Sequence, residues 1–195
     1  NLKVKHIESV RSNLNLRTSL AGRMAYGQAQ KYDAHIITTA LAGVNAANLK
    51  GSGALALTTA NSYENYLLMT TALQEANVDP LKMNVIALIE PKFGALLKRA
   101  GILDGTDMGL EMRKKGYIGM LDGVKIFTNN TMVGKNKALM FETGDAIHFV
   151  EQIADFDTRE NPNAFSDNML GEVVYQAKVF AQNSKRLASL QYVAL

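Results

Sequence analysis

Apolar positions change period several times along the chain, and each change marks an element. Residues 2–7, Leu-Lys-Val-Lys-His-Ile, alternate apolar with basic, which predicts a strand with one exposed face. Such a strand needs a partner, either later in the chain or upstream of Asn1. Over residues 17–41 the period lengthens. Ala21, Ala25, Ala29, Tyr32, Ile36 and Ala40 recur at steps of three and four, a single helical stripe. Asn15 or Ser19 is placed to cap the start of this helix, and Gly43 sits where a left-handed C-terminal cap belongs. At 1.5 Å per residue the helix would run about 38 Å, longer than most domain helices. Its stripe is narrow and alanine-rich, so another backbone can approach closely. Gly22 and Gly27 lower its intrinsic propensity, so packing must hold it.

Residues 43–61 are rich in Ala, Gly, Asn and Thr without a period, and read as a connection into a second subdomain. Asn61 followed by Glu64 spells a capping box that opens a helix to about residue 77, closed by Val78-Asp79-Pro80. Residues 85–89, Val-Ile-Ala-Leu-Ile, predict a buried strand. Pro91 then opens a helix whose apolar face is Phe93, Leu96, Leu97 and Ala100, ending at Gly101. Residues 102–116 hold Asp104, Asp107 and Glu111 among glycines and read as a mobile stretch. Residues 117–121 and 124–128, around the turn pair Asp122-Gly123, give the strongest hairpin signal in the sequence. Further strands are predicted at 138–141, 146–153, 172–180 and 187–194, with an acidic loop over 155–168. Helix and strand mix without regular β-α-β alternation and without an internal repeat, so the expected fold class is α+β.

Composition narrows the function classes. The 195 residues are 47% hydrophobic and 20% charged, which supports one large domain or two interleaved small ones and excludes wholesale disorder. The longest aliphatic run has five residues, against the roughly 20 that a membrane-spanning helix needs. Having no cysteine excludes disulfide scaffolds, cysteine zinc sites, iron–sulfur clusters and thiol catalysis. A net charge of +3 predicts a slightly basic, solvated surface. The clusters Lys3/Lys5, Lys98/Arg99, Arg113 to Lys115, Lys135/Lys137 and Lys185/Arg186 lack the interleaved aromatics of a nucleic-acid module. Because the sequence opens at Asn1 and not at a methionine, a processed product or the visible part of a longer one is expected.

Candidate chemistry is sparse. His6, His35 and His148 fall on unlike elements with no metal-ligand spacing, and His35 is expected to be an interface or partly exposed residue. Asp104, Asp107 and Glu111 do not follow the calcium-loop pattern. Val133-Gly134-Lys135-Asn136 resembles the end of a phosphate loop. Asn129 stands where that motif has a glycine, and no Ser or Thr follows the lysine, so the stretch reads as a turn. Asn129-Asn130-Thr131 matches a glycosylation sequon by chance. Gly-x-Ser-x-Gly is absent, and no paired carboxylates suggest acid–base work. No catalytic, cofactor-binding or metal-ligating residue is identified. An overlong helix, ribbon-like strands and no site predict a building block, one that works through surface buried in copies of itself, often above about 1,200 Å² per contact.

The order of elements resembles tailed-phage major capsid proteins of the Hong Kong 97 fold, those of short-tailed phages most of all. Asn15-Leu16-Arg17 leading into the long helix, with Ala25 and Asp33, is similar to the family's spine helix. Residues 85–90 followed by Pro91-Lys92-Phe93 resemble the strand-to-helix step of its axial domain. Gly116-Tyr117-Ile118-Gly119 with residues 122–129 resembles the hairpin near that domain's core. Residues 146–152 and 171–180 resemble the paired long strands along the spine helix. The resemblance runs from about residue 14 to the C-terminus.

By that likeness, residues 1–14 are the returning limb of an extended loop. Residues 15–42 and 146–183 form the peripheral domain, and residues 43–145 and 184–195 the axial domain. The resemblance implies a structural shell protein, not an enzyme and without a cofactor. It would assemble as pentamers and hexamers in the host cytoplasm into the icosahedral head of a virion, with scaffolding and portal proteins as partners and weak, nonspecific contact with packaged double-stranded DNA. Lys3, Lys5 and Arg11 on the loop limb are candidate contacts to an acidic patch on a neighbour formed by Asp155, Asp157 and Glu160. An encapsulin-like compartment shares the fold and is the rival reading. A small soluble enzyme is a more distant one, and would gather His148 with acidic residues in a pocket.

Overall fold

The computed structural model describes residues 2–5, 16–101, 116–152, 156–160, 166–171 and 173–193. Three helices, α1 (Leu16–Gly43), α2 (Ser62–Glu75) and α3 (Pro91–Arg99), alternate irregularly with eleven strands among these residues. The chain divides into two compact units, one of Asn1–His35 with Phe149–Ala177 and one of Ile36–His148 with Lys178–Leu195. The mixture is α+β, as expected. The proposed mobile stretch at 102–116 lies outside the described residues except for Gly116.

The larger unit is built on a six-stranded sheet. Its strands are β2 (Leu49–Gly51), β3 (Val85–Ile89), β4 (Tyr117–Leu121), β5 (Val124–Thr128), β6 (Lys137–Glu142) and β11 (Leu187–Gln191), in the spatial order β2-β11-β6-β3-β5-β4. β3 alternates buried and half-buried residues: Val85, Ala87 and Ile89 are wholly enclosed, while Ile86 and Leu88 on the other face are partly covered. The enclosed face joins Val124, Ile126, Ala138, Met140, Ala188 and Leu190 against Tyr66, Met69 and Leu73 of α2 and Phe93 and Leu97 of α3. Eighteen buried residues share this core, so it carries most of the hydrophobic stabilisation of the unit. On the opposite face, Leu139 and Leu187 meet Ile37, Ala40 and Val44 in a second, smaller cluster with Met132 and Ala146.

Local sequence explains the sharpest features. The β4–β5 turn puts Asp122 at φ 51° and Gly123 at φ 80°, the two left-handed residues that match the twist of a two-residue hairpin. Pro91 opens α3, where its fixed φ suits the first helical turn and its missing N–H costs nothing. The expected capping box at Asn61 does not form. Its Oδ1 accepts from the Thr58 amide at 2.7 Å and its Nδ2 donates to the Ala56 carbonyl at 2.9 Å. The side chain thus closes the preceding loop instead of capping α2.

In the smaller unit, β1 (Leu2–Lys5) finds its partner late in the chain. β8 (Phe156–Glu160) and β9 (Ser166–Gly171) pair antiparallel, and β1 adds to the free side of β9, giving the order β1-β9-β8. The acidic loop expected over 155–168 is therefore largely two strands. Their Asp, Asn and Ser content lowers intrinsic strand preference, but sheet preference is set mostly by pairing. β7 (His148–Gln152) and β10 (Val174–Lys178) form a separate two-stranded ribbon. The alanine stripe of α1 is exposed at Ala25 and Ala29, and only its later part, with Ile37 and Ala40, is buried. Gly43, expected as a left-handed cap, is not among the positive-φ glycines; it is the last residue of α1, and its missing Cβ makes room for Val179.

Candidate functional site

The histidines that the sequence offered for chemistry are held as structural groups. His35 Nε2 accepts from the Ala177 amide at 3.4 Å, and its ring meets Tyr175 edge-on with centroids 5.3 Å apart. His148 Nε2 lies 3.2 Å from Asn183 Nδ2 and its ring packs against Phe180 at 4.8 Å. Asn183 also donates to the Asp145 carbonyl at 2.6 Å, which fixes its amide and leaves His148 Nε2 as the acceptor. Among the described residues, no three histidine or acidic side chains gather into a group that could hold a metal ion. His6 lies outside them.

Charged groups in the larger unit brace the fold. The Arg186 guanidinium binds Glu142 Oε2 and reaches Asp145 Oδ2 at 3.3 Å, tying the turn Ala181–Arg186 to the end of β6. The Glu142 hydrogen bond holds its pKa above the ordinary arginine value, with the Glu142 charge adding to it. Tyr192 and Glu90 form a buried pair, with the phenol 3.3 Å from Glu90 Oε2 and 3.3 Å from the Lys137 carbonyl. Burial first, and the Glu90 charge second, push the Tyr192 pKa upward.

The smaller unit has little interior. Of its hydrophobic residues with described surroundings, only Ala177 is buried. Tyr32 of α1 anchors the ribbon. Its hydroxyl donates to Glu151 Oε1 at 3.0 Å and its ring meets Tyr175 edge-on at 4.6 Å and Phe149 at 5.9 Å. Elsewhere in the unit Tyr26, Val150 and Val174 are 68%, 69% and 57% exposed. These apolar side chains therefore add nothing to a core within the unit.

The candidate contact residues separate. Lys3 and Lys5 lie on β1, where their register partners on β9 are Asn168 and Ser166, so neither has an acidic residue directly opposite. Asp157 and Glu160 lie on β8, one strand further across the same sheet. Arg11 and Asp155 lie outside the described residues. Sequence reasoning missed Arg186 with Glu142, and the pairing of Lys135 and Lys137 around one cavity. Arg186 and Glu142 lie too far apart in sequence for spacing to reveal them, and Lys135/Lys137, already a basic cluster in the sequence, share a cavity only because Thr38, Leu41 and Ala42 come from a distant helix.

No helix among the described residues is long and apolar enough to cross a membrane. No protein-family model matches the sequence, and no curated protein matches it. Solved structures do match. The capsid of the cyanophage P-SCSP1u aligns at a TM-score of 0.72 and 11% identity, covering 100% of this chain and 71% of its own. A structure from Mycobacterium phage Che8 aligns at 0.70 and 20% identity, covering 97% and 68%. The SrpI encapsulin of Synechococcus elongatus aligns at 0.68 and 15% identity, covering 97% and 70%. Near-complete coverage at such low identity means that the arrangement of elements is shared while the side chains have diverged. The chain has the Hong Kong 97-like fold, the α+β architecture common to phage capsids and encapsulin shells.

Proposed function

We propose that the chain is the major capsid protein of a tailed phage, a structural subunit that closes with copies of itself into an icosahedral head around a double-stranded DNA genome. The observation that carries this reading is the alignment of the whole chain with the cyanophage capsid. The thin smaller unit supports it, since an element with exposed Tyr26, Val150 and Val174 and almost no core gains stability from neighbouring copies. The role is mechanical, not catalytic, and needs no cofactor.

In this reading residues 15–42 and 146–183 are the peripheral domain, residues 43–145 and 184–195 the axial domain around five- and six-fold vertices, and residues 1–14 a limb that overlaps a neighbour. The compact units divide inside α1, in β7 and near the end of β10, close to those boundaries. Small adjustments at such joints let one sequence occupy both kinds of ring. Lys3, Lys5 and Arg11 of one copy would meet Asp155, Asp157 and Glu160 of the next. Scaffolding and portal proteins would be the assembly partners, and the assembled virion the location.

Negative-stain electron microscopy of the full gene product tests the reading. Closed shells, or rings of five and six subunits, are the expected outcome; monomers or dimers that persist at high concentration with assembly factors present would overturn it. The similarity to the Synechococcus encapsulin favours a compartment as the second reading. Nuclease-protected DNA inside purified shells supports the capsid, and enclosed protein cargo without DNA supports the compartment.

A further inference from the structure

Lys135 and Lys137 line one cavity of about 300 Å³ together with Thr38, Leu41 and Ala42 from the last turns of α1. That volume is at the small end for ligand pockets, which run about 300–1,000 Å³. Both lysines are half-buried. Gly134 at φ 76° and Asn136 at φ 53° turn the chain on either side of Lys135, and its Nζ lies 3.3 Å from Thr38 Oγ1. Among the described residues neither lysine has a carboxylate within ion-pair distance. The two lysines bring two positive charges to one concavity, of which the C-terminal end of α1 offsets only about half an elementary charge.

We propose that this cavity binds a phosphate group, with Lys135 and Lys137 supplying the charge and Thr38 holding Lys135 in place. The phosphate comes either from a nucleic-acid backbone or from free inorganic phosphate. The site stands on the cavity alone, whereas nucleic acid as the source rests on the capsid reading.

The test is a nuclear magnetic resonance titration of the unassembled full chain with inorganic phosphate and, separately, with a short mixed-sequence DNA duplex. Saturable shifts at Thr38, Lys135 and Lys137 are expected with phosphate, weakened about tenfold in the Lys135→Gln/Lys137→Gln variant. If the duplex competes, and the variant flattens the slope of log K against log salt by about 1.8, the source is nucleic acid. If the duplex does not compete, the source is the free ion. Absence of these shifts, or binding that survives the double substitution, overturns the site. So does a variant that melts earlier while binding phosphate unchanged, because the lysines would then serve only the end of α1. Failure to form shells would strike the capsid reading and leave the phosphate arm intact.

Discussion

A Cβ atom at position 43 would lie 2.6 Å from the Val179 Cβ, so Gly43 is the only residue type that lets the end of α1 meet the chain leaving β10 at the observed distance. The Val179 methyl carbons, at 2.8 and 2.9 Å from the same point, close off sideways escape. Gly43→Ala is therefore expected to destabilise by about 1–3 kcal/mol despite alanine's better helix propensity. Val179→Ala in the same chain would restore only part of that loss, because it removes the two methyl carbons and leaves the Cβ, the nearest atom, in place. Urea titrations of the two single variants and the double variant check the coupling, and additive losses would show that the contact is not what requires glycine.

Tyr66 and Tyr192 make alkaline stability a second measurable consequence. Tyr66 is fully enclosed with its hydroxyl donating to the Leu121 carbonyl at 3.1 Å, and burial, with Asp122 nearby, raises its pKa. Tyr192 is raised by burial and by Glu90. A raised phenol stays protonated in the fold after it has ionised in the unfolded chain. Above about pH 10 the unfolded state thus holds fewer protons, and stability falls as pH rises, by up to about 1.4 kcal/mol per pH unit for each tyrosine. Denaturant midpoints measured between neutral pH and pH 11 should stay flat below 10 and drop beyond it. Tyr66→Phe should remove part of the drop.

The carboxylates around Arg186 should differ in weight. The Glu142 side chain is 13% exposed and that of Asp145 63%, although both reach the same guanidinium nitrogen. Water screens the exposed pair and leaves it worth little, while the shielded one keeps more of its charge-assisted hydrogen bond. Glu142→Gln is expected to cost about 0.5–1.5 kcal/mol and Asp145→Asn close to nothing. Equal losses in thermal unfolding would mean that the two act as one network.

Legibility in the sequence followed the range of the forces involved. The hairpin around Asp122-Gly123 could be read residue by residue because its turn chemistry lies in two adjacent positions. Val85–Ile89 and the Pro91 helix start were equally local. β8 and β9 were misread as a loop because Asp157, Arg159, Asp167 and Asn168 favour a strand only once their partners are in place. Gly43 was read as a cap because Val179, the residue that requires it, lies far along the chain. Asn61 had the right letters for a capping box, yet Ala56 and Thr58 offered its amide better-placed partners. Lys135 and Lys137 read as a turn with two charges, and only the end of α1, with Thr38, Leu41 and Ala42, makes a cavity with them.

The β1 register gives the last prediction. Lys3 and Lys5 stand opposite Asn168 and Ser166, so their charges have no acidic register partner on the adjacent strand. Replacing both with glutamate leaves the backbone pairing of β1 intact, because hydrogen bonds along the ladder do not depend on side-chain sign. The folded subunit should therefore keep its thermal stability to within about 0.5 kcal/mol. If the lysines meet Asp155, Asp157 and Glu160 of a neighbour, the reversal sets like charges against each other at every copy of that contact, and the cost multiplies through a closed shell. Assembly of Lys3→Glu/Lys5→Glu should then fail at low salt and recover partly as salt screens the repulsion. Charge reversal at Asp157 and Glu160 in the same chain should restore it. Shells that form normally from the lysine variant at low salt would remove these residues from the interface.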